Sequence, residues 1–131
     1  MAITTVEEAI RAALIADNGV KAITTKVYPS VLPQTPTYPL ILYFRIGGSS
    51  DVALGGATGK SHTRFQIEAW AETYSAAKAL AAAIRIALNC KTFTVDSIYI
   101  GSIVIQSERD FYESDVGIYR VSIDFMIWAT E

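Results

Sequence analysis

Cysteine, histidine and long apolar runs are all scarce in this chain of 131 residues. It holds one cysteine, Cys90, and one histidine, His62. A single cysteine excludes an internal disulfide and a cysteine-based zinc cluster, and it fits a reducing compartment. A single histidine excludes the paired histidines of most catalytic zinc sites. The uninterrupted apolar runs, such as 39–44 and 79–84, are far too short to span a bilayer, so we expect no membrane partner.

Charge is also sparse, at 18% of residues, and the net charge is −2. Without a basic excess, no phosphate-tracking surface is expected, which disfavours specific nucleic-acid binding. The first residues carry early carboxylates and no basic region before an apolar core, unlike a secretory signal. We therefore expect synthesis and retention in the cytoplasm.

Two helices are predicted from spacing. Thr5 and Glu8 have the spacing of a capping box, and an apolar stripe follows, so a helix is expected over 5–17. The second helix, over 73–88, is rich in alanine, which lets a helix backbone lie close to a sheet. Its apolar stripe consists of Ala77, Leu80, Ala81, Ile84 and Leu88.

Strands are predicted from alternation of apolar and polar residues. In the segment 64–71, R-F-Q-I-E-A-W-A, one face carries Phe65 and Ile67 and the other carries Glu68 and Trp70. Further strands are expected at 40–46, apolar on nearly both faces, and at 97–107 and 118–129. The predicted fold class is α+β, a single domain with a mainly antiparallel four-stranded sheet packed by two helices.

Proline and glycine are unevenly distributed. All four prolines fall between Pro29 and Pro39, which predicts an extended, ordered arm over 28–39. Five of the eight glycines lie within 47–61, a segment without periodicity. We expect it to be a long mobile loop that joins the first two main strands. A turn carrying Glu108, Arg109, Asp110, Glu113 and Asp115 is expected between the last two strands.

Three apparent catalytic motifs fail on inspection. The segment L-G-G-A-T-G-K-S lacks the first glycine of a phosphate loop, because Leu54 stands there, and a strand rather than a helix follows it. His62 is read as a solvent-side residue at a strand entrance. Cys90 has Lys91 beside it but only His62 as a candidate base, so a small packed thiol is the simpler interpretation. No catalytic, cofactor-binding or metal-binding residue is predicted.

Charged residues interrupt one otherwise apolar sheet face. Glu68 and Asp124 each have an arginine four residues away, Arg64 and Arg120, and cross-strand ion pairs account for them more simply than a catalytic carboxylate pair. The same charges also suit a subunit interface, where polar pairs set register. Trp128, on the same face, suits either core packing or an interface centre.

The order of these segments resembles the tail-completion, or tail-terminator, family of tailed bacteriophages and prophages. The resemblance covers nearly the whole chain. Its most telling parts are W-A-x-T-Y-x-x-A, from Trp70 to Ala77, and Y-R-x-x-x-D-F, from Tyr119 to Phe125. It implies a non-enzymatic ring, commonly hexameric in the family, that caps the tail tube, stops tail growth and presents a surface to the head connector. The implied location is the head-proximal end of the virion tail, reached from the host cytoplasm.

The resemblance directs the candidate site residues toward assembly. The implied partners are other copies of the chain, the major tail tube protein and the head-tail connector or head-completion protein. The candidate subunit interface is Arg45, Arg64, Glu68, Arg120, Asp124 and Trp128. The candidate docking loop for tube or connector is represented by Gly47, Asp51, Leu54 and Lys60. Two alternatives stay open: a monomeric adaptor or head-completion and neck component, and a small α+β enzyme.

Overall fold

Helices and strands cover most of the chain in a computed structural model that describes residues 5–53 and 56–130, with side chains described outside 48–61. The helices are α1 (Val6–Ala16), α2 (Asn18–Lys21) and α3 (Tyr74–Leu88). The strands are β1 (Val27–Pro29), β2 (Leu40–Ala53), β3 (Gly56–Ala71), β4 (Phe93–Val95), β5 (Ile98–Glu113) and β6 (Ile118–Thr130).

Threonine side chains cap the two long helices. Thr5 Oγ1 accepts from the Glu8 N–H at 3.2 Å, and Thr73 Oγ1 accepts from the Ala76 N–H at 3.1 Å. Each bond satisfies one of the amides that a helix start leaves unpaired. α1 ends at Ala16, and the Asp17 side chain then caps a short second helix, α2, which begins at Asn18.

The strands form one sheet in the order β1-β2-β3-β6-β5-β4. All neighbouring pairs are antiparallel except β1 with β2. The central pairing joins β3 to β6 from Lys60 opposite Thr130 to Ala71 opposite Tyr119. The fold class is therefore a single-domain α+β fold with a mixed sheet.

The helices cover one face of the sheet, called here the helix face. Phe65, Ile67, Phe125 and Ile127 are fully buried on that face and belong to the same cluster as the apolar stripes of α1 and α3. Ala77 and Ala81 of α3 are also fully buried, so the small side chains allow the helix to pack closely.

The prediction of four strands was wrong, since the sheet has six. The two missed strands, β1 and β4, contain three residues each, too few for alternation to be recognised. β1 lies inside the expected proline arm, at the sheet edge, where Pro29 needs no ladder N–H. Two hydrogen bonds anchor the end of the arm. Thr24 Oγ1 donates to the Pro39 carbonyl at 2.9 Å, and Lys26 Nζ donates to Thr37 Oγ1 at 2.8 Å.

The expected loop over 47–61 was also wrong. Its backbone continues β2 and β3 as a hairpin, with Gly47 opposite Arg64, Ser50 opposite Ser61 and Ala53 opposite Gly56. Strand pairing requires only backbone groups, so glycine and serine can pair without the side-chain alternation that sequence reading depends on. Two register irregularities, after Arg45 and after Ser50, also disturb the alternation. Leu54 lies outside the described residues.

The charged turn between the last strands is much shorter than expected. β5 continues to Glu113, so Glu108, Arg109 and Asp110 lie in the strand, and only residues 114–117 connect it to β6. Gly117 has a φ of +68°, the left-handed conformation that favours glycine in such a turn. The second half of β5 has exposed, mostly polar side chains on both faces. Its residues therefore lack the alternation from which a strand is predicted.

Within the described ranges, no helix combines the length and apolar character needed to cross a bilayer.

Close packing of α3 on the sheet gives a direct test. Ala81→Leu inserts a larger side chain at a fully buried position, and we expect the free energy of unfolding in urea to fall by about 1–3 kcal/mol. Ala79→Leu makes the same change at an exposed position of the same helix and should leave stability within about 0.5 kcal/mol. Equal effects at both positions would contradict close helix–sheet packing.

Candidate subunit-interface site

The sheet face opposite the helices carries the polar residues singled out from the sequence. Antiparallel register and alternation place Glu68 and Trp70 of β3 and Arg120 and Asp124 of β6 on this face, called here the polar face. Glu68 is 2% exposed and Asp124 is 7% exposed. Charged groups buried this deeply require partners.

Arg120 is the centre of the main ion-pair network. Its Nη1 donates to Glu68 Oε2 at 2.6 Å, and its Nη2 donates to Glu113 Oε1 at 2.8 Å. Burial alone would lower the pKa of Arg120, but the hydrogen bonds and charges of Glu113 and Glu68 raise it above its ordinary value. The guanidinium is therefore permanently charged and held between two strands.

Glu68 also accepts from its own strand. Gln66 Nε2 donates to Glu68 Oε2 at 2.6 Å, and Trp70 Nε1 donates to Glu68 Oε1 at 3.1 Å. With the bond from Arg120, both carboxylate oxygens are satisfied, which offsets the cost of burying the charge.

Aromatic rings flank the Arg120 guanidinium. Its central carbon lies 4.3 Å from the centroid of the Phe111 ring and 5.5 Å from that of Trp70. Both distances lie within cation–π range. The rings and the carboxylates together leave the Arg120 side chain little freedom.

Asp124 forms a second, looser pair. Its Oδ2 accepts from Ser107 Oγ at 3.1 Å and lies 4.0 Å from Arg64 Nη2. The Arg64 side chain is 51% exposed. Among the described residues, Asp124 Oδ1 and Ser122 Oγ are buried without a protein hydrogen-bond partner. This part of the face is more loosely organised than the Arg120 network.

The ion pairs cross between the strands. Residues four apart on one strand lie about 13 Å apart, too far to pair. Antiparallel register instead brings Arg120 diagonal to Glu68, and Arg64 diagonal to Asp124.

The two remaining candidate interface residues, Trp128 and Arg45, lie on different faces of the sheet. Trp128 lies on the polar face, 42% exposed, with its ring 6.3 Å from that of His62. Arg45 lies opposite Phe65 and so belongs to the helix face, where it is exposed. Arg45 alternates regularly with Ile41 and Tyr43 of the same strand, but segment 40–46 is apolar on nearly both faces, so sequence reading could not tell which face Arg45 takes. The structure therefore brings five of the six candidates together and leaves Arg45 apart.

Three of the four candidate docking residues belong to the hairpin. Gly47 lies opposite Arg64, and Lys60 lies opposite Thr130 of β6. Asp51 falls at the second register irregularity of β2. Leu54 is outside the described residues.

Sequence reading missed several members of the network. Glu113 was assigned to a turn, and Phe111 was not singled out, because the length of β5 was underestimated. Gln66 and Trp70 were placed on the correct face, but no role was assigned to them. Their position two residues on either side of Glu68 was the available signal, since such neighbours share a strand face.

A second charge cluster joins α3 to β5 on the helix face. Lys78 Nζ lies 3.4 Å from Glu108 Oε2 and 3.3 Å from Asp110 Oδ1, and Arg85 pairs with Glu108. The Tyr74 hydroxyl donates to Asp110 at 2.8 Å. That hydrogen bond, followed by Lys78, lowers the pKa of Asp110. The sequence analysis did not foresee these partners of α3.

The chemistry of these clusters is structural. Among the residues that the structure describes, no three His, Cys, Asp or Glu side chains are grouped to hold a metal ion. Cys90 is exposed at the end of α3. The charged groups of these clusters are paired with one another, an arrangement that fixes side chains in place.

Removal of Arg120 tests whether the network stabilises the fold. Arg120→Ala leaves the buried Glu68 without its cation, so we expect the free energy of unfolding to fall by about 3 kcal/mol. Adding Glu68→Gln should recover part of this loss, because a neutral amide is less costly to bury. The control, Arg109→Ala, removes an exposed arginine and should cost under about 1 kcal/mol. Equal losses for both arginines would contradict a specific role for Arg120.

Comparisons with known proteins identify a family and a shared fold. The family described as tail completion protein gp17 matches residues 8–130. A solved chain from "Virion of native gene transfer agent (GTA) particle" shares the fold, with a TM-score of 0.74 and 21% identity, over 96% of this chain and 95% of that chain. No curated protein sequence matches. The match to the family spans nearly the whole chain, and the chain belongs to the tail completion protein gp17 family.

Proposed function

We propose that the protein forms a ring that caps the finished tail tube, stops its growth and provides the surface to which the head joins. The observation that carries this proposal is the family match over residues 8–130, which makes the chain a structural component of a phage tail. Ring closure, tube termination and head joining are our extensions of that membership.

The structural neighbour supports a place in the virion. That chain comes from a gene transfer agent virion and has the same fold over nearly its whole length. We infer that this protein likewise resides in a phage-like particle, at the head-proximal end of the tail. Its partners there are the tail tube protein on one side and the head-tail connector on the other, after assembly in the host cytoplasm.

Closed rings place a specific demand on each subunit. A ring repeats one heterologous interface, so each copy must offer two different patches that fit each other. We assign one patch to the polar face, with Arg64 and Trp128 exposed at its surface. We assign the other to the proline arm and the start of β2. Six copies would match a six-fold tube.

Burial changes the roles of the candidate residues within that interface. Glu68 and Asp124 are too buried to contact a partner. Glu68 holds Arg120 in position, so the exposed Phe111 ring beside Arg120 is presented in one arrangement, while Asp124 gives Arg64 a nearby counter-charge. Such preorganisation favours association because fewer side chains lose freedom on binding.

The hairpin formed by residues 47–61 is the proposed docking element for the tube or the connector. Residues 56–59 of β3 lie beyond the last described pair with β6, Lys60 with Thr130. The pairing between β2 and β3 thus extends past the rest of the sheet, a position from which an element can reach a neighbouring protein. Gly47, Asp51, Leu54 and Lys60 belong to this segment.

Solution mass tests ring formation. Size exclusion with light scattering across a concentration series should give one species of about six subunits, and negative-stain images should show rings. Addition of tail tube protein should shift any remaining monomer into the ring. A strict monomer with and without tube protein would overturn the ring and favour the monomeric adaptor or neck component.

Shortening the hairpin tests docking separately from ring formation. Replacing residues 51–60 by Asn-Gly retains a tight turn between the paired Ser50 and Ser61. We expect unchanged ring mass and thermal unfolding, with loss of co-sedimentation with tail tubes or connector. A matched control replaces the turn residues 114–117, at the other end of the sheet from the hairpin, by a turn of equal length. Normal docking by the shortened variant would contradict the assignment.

A further inference from the structure

Val31 is an apolar residue with an unusually exposed side chain. It is 74% exposed, the highest value among the large hydrophobic residues that the structure describes as exposed. Ser30 before it has a φ of +62°, and the Val31 N–H donates to the Pro29 carbonyl at 2.7 Å, closing a tight three-residue turn. A non-glycine residue in this region is strained, and such strain persists where surrounding structure enforces it.

The surroundings enforce this turn. The Ser30 N–H donates to the Tyr43 carbonyl of β2 at 2.9 Å, which fixes the turn to the sheet edge directly after β1. The following residues are Leu32 and Pro33, and no charged residue occurs between Ser30 and Pro39. The fold therefore presents a fixed, uncharged apolar knob, defined here as Val31–Pro33.

A mostly apolar cavity lies toward the opposite edge of the sheet from the knob. It has a volume of about 220 Å³ and is lined by Tyr74 of α3, Phe111 and Tyr112 of β5, and Tyr119 of β6. Tyr119 packs against Tyr112 and Tyr74, with ring centroids 4.7 and 5.8 Å apart. A space of about 150 Å³ accommodates one benzene ring, so this cavity has room for one or two aliphatic side chains.

The charged groups at this cavity are already neutralised. Asp110 is bonded to Tyr74 and Lys78, and Arg120 is bonded to Glu68 and Glu113. An uncharged apolar occupant therefore suits the cavity better than an ion. Within one copy the knob is too distant, because β2, β3 and β6 separate β1 from β5, a span of about 19 Å at strand spacing.

We propose that the Val31–Pro33 knob of one copy inserts into the tyrosine-lined cavity of a second copy of this chain. The two features differ from each other and lie toward opposite edges of the sheet, as a repeating heterologous contact requires. The contact rests on the proposed function: the knob belongs to the proline arm, which is one proposed patch, and the cavity borders the other patch, the polar face, through Phe111 and Arg120. An aliphatic plug in an aromatic pocket is the kind of buried anchor that dominates binding energy.

Cross-linking between copies tests the contact. In a Cys90→Ser background, purified Val31→Cys protein is mixed with Tyr112→Cys protein and treated with a short bismaleimide. A linked dimer of one copy of each variant is expected, beyond what either variant gives alone. The matched control mixes Ile86→Cys with Tyr112→Cys, because Ile86 is 73% exposed on α3. That mixture should give little linked product.

The mass in solution of variants with an added charge distinguishes failure of this contact from failure of ring formation. Val31→Asp should raise the concentration at which the oligomer half-dissociates by about tenfold or more, while Ile86→Asp should leave it unchanged. An oligomeric unaltered protein with no 31–112 link and no effect of Val31→Asp would overturn this contact and leave the ring standing. A strictly monomeric unaltered protein, with or without tube protein, would overturn the proposed function and this contact together.

Discussion

The antiparallel pairing of β3 with β6 is the constraint on which the rest of the structure depends. One register, from Lys60 opposite Thr130 to Ala71 opposite Tyr119, assigns the described side chains of both strands to a face wherever the strands pair. It puts Phe65 opposite Phe125 beneath the helices, and it brings Arg120 within reach of Glu68 on the other face. A slip by one residue would exchange the two sets and bury the charges against the helices.

The same register explains how the polar face can bury charges and still suit the proposed subunit contact. Each charged group in the Arg120 network and in the Arg64–Asp124 pair has an oppositely charged neighbour within the same copy, so none of them needs a partner chain for its pairing. The Arg120 network also immobilises the exposed groups beside it, which suits a repeated subunit contact. The apolar contribution would come from the knob and the tyrosine-lined cavity, and the hairpin would remain available for other tail proteins.

Much of the fold could be predicted from the sequence because the central strands and the helices alternate with clear periods. The faces of β3 and the stripe of α3 follow from spacing alone. The features that escaped prediction lack side-chain signals. β1 and β4 are too short, the hairpin pairs through glycine and serine backbone, and outer β5 carries polar residues on both faces. The grouping of Arg64, Glu68, Arg120 and Asp124 was foreseeable, whereas the face of Arg45 was not, because segment 40–46 is apolar on nearly both faces.

The most direct test of this account is cryo-electron microscopy of tail tubes assembled with and without the protein. The account predicts a closed ring of this chain on one end of each tube, with tube length limited only when the protein is present. Tubes of unchanged length, with the protein absent from their ends or spread along their walls, would contradict it.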